Sequence, residues 1–381
     1  MDATPADRPE LVESIAVLSY FKGLNDPRQQ GKVSYPLEEI LLLCLLAVLA
    51  GAETITDVAL FGVKKIALLR RFRPFRDGTP THDHLGDILA ALDAEQFQRC
   101  FATWMSAACG IPSGVVAIDG KTSRRTGAKS KGRSGVHVVS AFAAGRRLVL
   151  GQTKVAEKSN EIVAIPQLLD LLSIEGAIVT IDAMGCQREI ARKTVDQKAD
   201  YVLALKGNQS GLRDDVDLFV AEQRANGFHD TEVTCHETID GDHGRIETRA
   251  VTVLHDIAWL TERHAWPGLK AVAIVDSTRE IAGKVETETR LYITSLAAPA
   301  SLLGPAIRDH WSVENSLHWV MDMVFRDDEC RARTGHAPAN LATIRHMAQN
   351  LIRRASGKES LRLRRKAAAW DDDYLVGLLV M

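Results

Sequence analysis

Paired cysteines are what this sequence most plainly lacks. Its 381 residues hold six cysteines, at 44, 100, 109, 186, 235 and 330, with no CxxC among them, which argues against a disulfide scaffold and against a cysteine-based zinc site and leaves free thiols. There is no excess of charge of either sign: 47 Lys+Arg stand against 49 Asp+Glu, a formal net charge of −2. Any affinity for nucleic acid must therefore come from local clustering. The longest apolar run, ILLLCLLAVLAGA at 40–52, has 13 residues, short of the roughly 20 that span a bilayer, and reads as a buried core helix with no membrane partner. The opening MDATPADRPE has no basic segment with an apolar one behind it, so no secretory leader is expected and the protein is expected in the cytoplasm. Internal repeats and low-complexity segments are also missing. What remains, 46% hydrophobic and 25% charged, is ordinary globular composition, which excludes disorder as the dominant state and suffices for two or three domains.

Residues 11–108 are patterned as helices: Leu37, Ile40, Leu41, Cys44, Leu45 and Val48 recur near period 3.6, as do Leu85, Ile88, Leu89, Leu92, Phe97, Phe101 and Trp104. After Ile111, Pro112, Ser113 and Gly114 the period changes. Short β-rich runs at 115–118, 136–143 and 148–155 predict three antiparallel strands, followed by a helix at 161–172, a strand at 177–181, a helix at 188–197 and a strand at 201–205. This βββαβαβ order is the ribonuclease-H-like layout. The fold class predicted is thus α/β: a ribonuclease-H-like catalytic core with a β-rich insertion, preceded by an all-α N-terminal domain. The expected boundaries are 1–110 for the helical domain, a DNA-binding one; 111–229 and 297–355 for the two parts of the core; 230–296 for the insertion; and 356–381 for a C-terminal tail.

Asp119 directly follows the run VVAI, and Asp182 directly follows AIVTI. An Asp after a strand more often caps a loop or a helix start. If these two strands are neighbours, about 4.8 Å apart, the two carboxylates can instead bridge a pair of divalent ions, as phosphoryl transfer requires. A third element is the predicted helix 310–333, on which His310, Glu314, His318 and Asp322 recur every four residues as a polar stripe beside Trp311, Val313, Leu317, Val320, Met321 and Val324.

Together, IDGKTSRRT at 118–126, TIDAMGCQ at 180–187 and HWSVENSLHWVMD at 310–322 resemble the DDE-type insertion-sequence transposases, in particular the group that includes the H-repeat-associated proteins. ALKGNQ at 204–209, HGRIETR at 243–249 and the helical leader at 35–62 add to the resemblance, which covers nearly the whole chain. It implies a DNA transposase that cleaves and transfers strands of an insertion sequence. Asp119, Asp182 and Glu314 would be its catalytic residues and the ligands of two Mg²⁺ ions, with Mn²⁺ able to substitute. It implies as partners the terminal inverted repeats of the element and a target DNA, with a homodimer forming on DNA. One departure stands out. Related transposases with such an insertion carry a tyrosine, arginine, glutamate, lysine signature, and here the three non-glutamate positions hold Ile307, His310 and Met321. His310, His318 and nearby Arg308 are the candidates to take over their DNA contacts.

Basic residues cluster as a DNA partner requires. Lys121, Arg124, Arg125, Lys129, Lys131, Arg133, Arg146 and Arg147 fall in an acid-free stretch from 120 to 147, and a second cluster occupies 345–366. Lys206 and Asn208 follow the fifth strand. His243, Arg245, Glu247 and Arg249 alternate on one candidate strand, as an ion-pair ladder or a DNA-facing strip. The residues expected to touch DNA are therefore Lys121, Arg124, Arg125, Lys206, Asn208, Arg245, His310 and His318. Trp259 and Trp266 fit core packing better than base stacking, and His82 and His84 around Asp83 fit a structured loop better than a metal site. Two rival readings remain: a zinc or di-metal hydrolase using the His310, Glu314, His318 helix, and a catalytically silent DNA-binding protein derived from a transposase.

Overall fold

The apolar runs around 115–118 and 177–181 lie at the centre of a nine-stranded sheet, where strands covered on both faces belong. The computed structural model describes residues 16–127, 134–156, 159–242, 245–281 and 283–379. The strands are β1 (Gly114–Ser123), β2 (Val136–Ala143), β3 (Leu148–Lys154), β4 (Ala177–Ile181), β5 (Asp200–Leu205), β6 (Val233–Asp242), β7 (Arg245–Leu254), β8 (Ala271–Ile281) and β9 (Lys284–Thr294). Their spatial order is β3-β2-β1-β4-β5-β9-β8-β7-β6. β1 to β3 form an antiparallel meander, and β4 and β5 run parallel to β1. The helices Glu161–Asp170 and Arg188–Asp196 precede β4 and β5, so the βββαβαβ order read from the sequence is the one that folds.

β1 is longer than its apolar run predicts. Its pairing with β4 stops at Ile118↔Ile181, but its pairing with β2 continues to Ser123↔Val136, so Asp119 lies inside a strand rather than just beyond one. The β-rich stretch at 230–296 extends the same sheet. β9 pairs with β5 from Val202↔Thr294 to Leu205↔Leu291, and β8, β7 and β6 follow outward. Only the inner halves, at Ala271–Val275 and Leu291–Thr294, are buried; the outer halves of β8 and β9 are largely exposed.

The N-terminal segment is helical, with Leu37–Leu49, Ile55–Lys64, His82–Ala91 and Ala94–Cys109 as its longer elements. Side-chain caps at Thr54, Thr81 and Asp93 start three of them. The Thr81 cap places His82 and His84 in the first turn of a helix rather than in a loop.

These helices share their core with the end of the chain. One cluster runs from Leu43, Phe101 and Phe142 to Leu317, Ile344 and Leu375. Residues 356–381, expected as a tail, contribute the helices Leu361–Trp370 and Asp372–Gly377 to it. There the buried Arg365 donates to the carbonyls of Val48 and Ala52, at and just beyond the end of Leu37–Leu49.

The element that joins the two halves is the helix Ala337–Arg354, buried from Ala337 to Ile352. It packs on Leu37–Leu49, His82–Ala91, Ala94–Cys109 and β3, and most of its buried polar side chains bond a fixed group on a neighbouring element, as buried polar groups generally do. Asn340 donates to the carbonyls of Leu89 and Leu92 at 2.9 and 2.8 Å, the open end of a neighbouring helix. Asn350 accepts from the Val149 N–H at 2.9 Å and donates to its carbonyl at 2.8 Å, occupying the free edge of β3. His346 and Thr343 both bond Gln152 of β3.

Candidate active site

Side chains along a strand alternate between faces, and on β1 the alternation divides structure from chemistry. Val116 and Ile118 point into the core beneath the helices Glu161–Asp170 and Arg188–Asp196. On the other face Ala117 joins the helical core, and Asp119, Lys121 and Ser123 continue that side toward residues 314–328, where each finds a partner. On β4, Thr180 faces the same way and meets the Nδ1 of His310 at 3.0 Å. Asp182 comes two residues later, and the register Ile118↔Ile181 makes it the next neighbour of Asp119. Its carboxylate accepts from the N–H groups of Met184 and Gly185, at 3.0 and 3.4 Å, capping a 3₁₀ turn. Asp182 thus caps a loop, the commoner use of an Asp after a strand, at the position next to Asp119; it is not among the residues whose donor atoms come together with that of Asp119.

The helix expected over 310–333 is broken. Helix Ala300–Asp309 gives way to a π turn at Glu314–His318 and a short helix Trp319–Met323. Arg326 is left-handed, at φ 54°, and a 3₁₀ turn follows at Asp327–Glu329. A π turn lodges one extra residue in a helix and is common at functional sites. Here the Ser316 carbonyl inside it accepts from Gln349 and Arg353 of the buried helix, both at 3.2 Å.

The polar stripe therefore does not converge on one point. His310 turns to Thr180 and Asp322 pairs with Lys121 at 2.7 Å. His318, only 6% exposed, turns inward, its Nδ1 3.4 Å from Glu314 and 3.6 Å from Asp119. That burial leaves His318 little surface to offer DNA. Asp119, Glu314 and His318 bring three donor atoms within 4.8 Å of one another, the only such set among the described residues.

The electrostatics follow from the crowding. Burial, opposed by the His318 ring and reinforced by the charges of Glu314 and Glu161, pushes the Asp119 carboxyl up to about 6. Beside His318, the more exposed Glu314 is held below the ordinary carboxylate range. Burial lowers His310, against the pull of Asp182. Two close carboxylates, one of which resists ionising, fit a divalent cation, which would remove the repulsion between them.

Behind them is an ionic layer that the sequence did not disclose. Lys121 pairs with Asp322 and, at 3.6 Å, with Asp328. Asp328 also holds the guanidinium and backbone N–H of Arg124, at 3.3 and 3.2 Å. Asp327 accepts from Ser123 and pairs with Arg345 at 2.6 Å. The available signal was the run RDDE at 326–329 after an apolar helix, together with an arginine in the buried stretch 337–352.

Elsewhere, Asn208 donates to the Ala183 carbonyl at 2.6 Å and Gln209 to Cys186 at 2.9 Å, tying the loop after β5 to the Asp182 loop; Lys206 is exposed. On β7, Glu247 pairs with Arg249 and Arg279, and Arg249 with Asp240, an ion-pair ladder. His243 and the side chain of Arg245 lie outside the described residues, as do Lys129, Lys131 and Arg133. Trp266 is buried. Trp311, stacked under Arg290, and Trp319 stand half exposed on the two sides of Glu314 along the chain.

A mixed sheet of this order, with two aspartates at adjacent positions of parallel strands and a glutamate on a facing helical turn, defines a ribonuclease-H-like core. The chain matches the Transposase DDE domain over residues 111–351 and the DDE_Tnp_1-associated region over 18–105. It is similar to the "H repeat-associated putative transposase YhhI" of Escherichia coli (strain K12), 37% identical with 97% of each chain covered. It is likewise similar to the "Putative transposase YncI" of Escherichia coli O157:H7, 37% identical over 96% of this chain and 94% of that one. The chain belongs to the DDE transposase family. No helix among the described residues is long and apolar enough to cross a membrane.

Proposed function

We propose that this protein cleaves and transfers the DNA strands of its own insertion sequence with Asp119, Asp182 and Glu314 as the catalytic carboxylates. The observation that supports the reading is the register of β1 and β4, which puts Asp182 at the position next to Asp119, together with the approach of Asp119 to Glu314. These three carboxylates would hold two divalent ions, Mg²⁺ or Mn²⁺, whose chemistry is to activate an attacking oxygen and stabilise a leaving one in in-line displacement at a phosphodiester. The protein's own groups do the rest. Lys121, aimed by Asp322 and Asp328, presents a positive charge two residues from Asp119. Arg124 and Arg125 stand exposed at the end of β1, where phosphate contacts would set the register of the scissile strand; Lys206 and Arg245 are further candidates. His310, held on Thr180, orients the residues ahead of the π turn, and Asn208 steadies the loop of Asp182. The substrates are the element's terminal inverted repeats and a target DNA, engaged by a homodimer.

The test is cleavage of a duplex carrying the ends of the element. Glu314→Gln and Asp182→Asn remove a charge and almost no volume, so each should lower cleavage on the order of 100-fold or more while circular dichroism and DNA retention stay unchanged. Near-normal cleavage by either variant overturns the assignment.

Arg124 and Lys121 should differ. Arg124→Gln with Arg125→Gln should weaken binding to all sequences and reduce the slope of log affinity against log salt by about one per lost phosphate contact. Lys121→Gln, whose charge is already shared with two aspartates, should depress cleavage more than binding. Equal salt slopes for the wild type and the double variant would place Arg124 and Arg125 away from DNA.

A further inference from the structure

Histidine 318 has no part in the carboxylate triad, yet its ring is the side chain that physically joins two of the three members. Its Nδ1 lies 3.4 Å from Glu314 Oε2 and 3.6 Å from Asp119 Oδ2. A charge-assisted N–H···O bond runs about 2.7–2.9 Å, so both separations are too long for Nδ1 to be donating well to either oxygen. Donor atoms that share one ion at about 2.1 Å sit about 3.0 Å apart when adjacent and about 4.2 Å when opposite, and the observed spacings fall in that interval. The other ring nitrogen, Nε2, is buried without a hydrogen-bond partner. Coordination through Nδ1 would keep the ring proton on Nε2 and direct the Nδ1 lone pair between the two carboxylates, whose donor atoms lie with it within 4.8 Å of one another.

The ring is also locked in place. Glu314 and His318 bracket the π turn, whose Ser316 carbonyl is fixed by Gln349 and Arg353. Val313 and Leu317, on either side of Glu314, are fully buried, so the turn cannot rotate to withdraw one ligand without losing its packing.

We infer that His318 Nδ1 is a third ligand, with Asp119 and Glu314, of one of the two ions of this site, and that this mixed nitrogen and oxygen set binds Mn²⁺ in preference to Mg²⁺. The inference rests on the catalytic reading above and deepens it: Asp182 remains with the ion shared between the two aspartates. The physical reason for the preference is ligand softness. Mg²⁺ is hard, gives up its water reluctantly and takes oxygen, whereas imidazole suits the transition metals. His318 replaces a hard donor by a borderline one at one position only, so Mg²⁺ is disfavoured there while the all-carboxylate position still accepts it.

The experiment measures binding by the full-length protein without DNA. Mn²⁺ is titrated and followed by the electron paramagnetic resonance signal of the free ion, with Mg²⁺ as competitor, and pulsed measurements on the bound ion look for coupling to a directly coordinated ¹⁴N. Wild type should show nitrogen coupling, and Mg²⁺ should displace the tighter Mn²⁺ only at about tenfold excess or more. His318→Gln should remove the coupling and weaken Mn²⁺ about tenfold or more, with Mg²⁺ affinity nearly unchanged. Bound Mn²⁺ with no nitrogen coupling in the wild type overturns the inference, and that measurement does not depend on any variant folding. Coupling that persists in a folded His318→Gln protein overturns it as well, since the nitrogen would then come from elsewhere. Failure of the underlying catalytic reading looks different: Asp119→Asn and Glu314→Gln would bind Mn²⁺ and cleave DNA as the wild type does.

Discussion

Asp119→Asn is expected to abolish cleavage and, in the absence of divalent ions, to make the protein more stable. Burial raises this carboxyl to about 6, whereas in the unfolded chain it ionises near its ordinary value of 3.8. A group whose folded value is raised favours the folded state below its unfolded value, and that contribution is lost as pH rises through the folded value. Stability of the metal-free wild type should therefore fall between about pH 4 and pH 6, leaving a penalty of roughly 1–3 kcal/mol at neutral pH. Asparagine carries no such penalty. Thermal unfolding in chelator at pH 7.5 should show a midpoint a few degrees higher for Asp119→Asn, with the difference closing by pH 4. A divalent ion should narrow the gap at pH 7.5 by stabilising only the wild type. An unchanged or lower midpoint at pH 7.5 would show that the carboxylate is not held against its own desolvation.

The second large effect belongs to Arg345. Its guanidinium is 2% exposed, pairs with Asp327 at 2.6 Å and donates to the Glu53 carbonyl at 3.0 Å. Burial alone would raise the Asp327 carboxyl, but Arg345 and Ser123 hold it below the ordinary range. Removing one partner of such a pair leaves a buried charge without compensation, at a cost of about 3–5 kcal/mol. Arg345→Ala should lower the urea midpoint accordingly. Arg345→Met with Asp327→Leu, which removes both charges and keeps volume, should recover most of the loss. If the double variant is as unstable as the single one, the pair contributes through something other than its charges.

The extent to which these features were legible in the sequence follows from how each is built. The central strands were readable because both faces are apolar, so VVAI and AIVTI leave little alternative. The far half of β1 was not, since Asp119, Lys121 and Ser123 point to charged partners and the local pattern resembles a basic loop. Asp119, Asp182 and Glu314 were readable as candidates from their positions along the chain, and the structure adds that Asp119 and Asp182 each follow the last residues at which β1 and β4 pair. The inward turn of His318 was hidden because a period of four reads as a surface stripe on a regular helix, whereas a π turn changes which residues share a face. The joining of β9 to β5 was equally invisible: alternation identifies a strand but not its neighbour. In the helix Ala337–Arg354, Asn340, Thr343, Gln349 and Asn350 read as polar on any scale, and only the carbonyls and side chains they meet make their burial possible.

That helix also sets a schedule for making the protein. The apolar helix Leu37–Leu49 leaves the ribosome early, but the surfaces that cover it, on Ala337–Arg354 and the two helices after it, come roughly 290 residues later. At about 5–20 residues per second the wait is roughly 15–60 s. Throughout that interval the most hydrophobic segment of the chain has nothing of its own to pack against except its neighbouring helices, while the strands from β1 to β5 are already free to pair. A nascent chain at that stage can have its sheet begun while its helical core is still open, and exposed apolar surface in such an interval is what makes larger proteins prone to aggregation during synthesis.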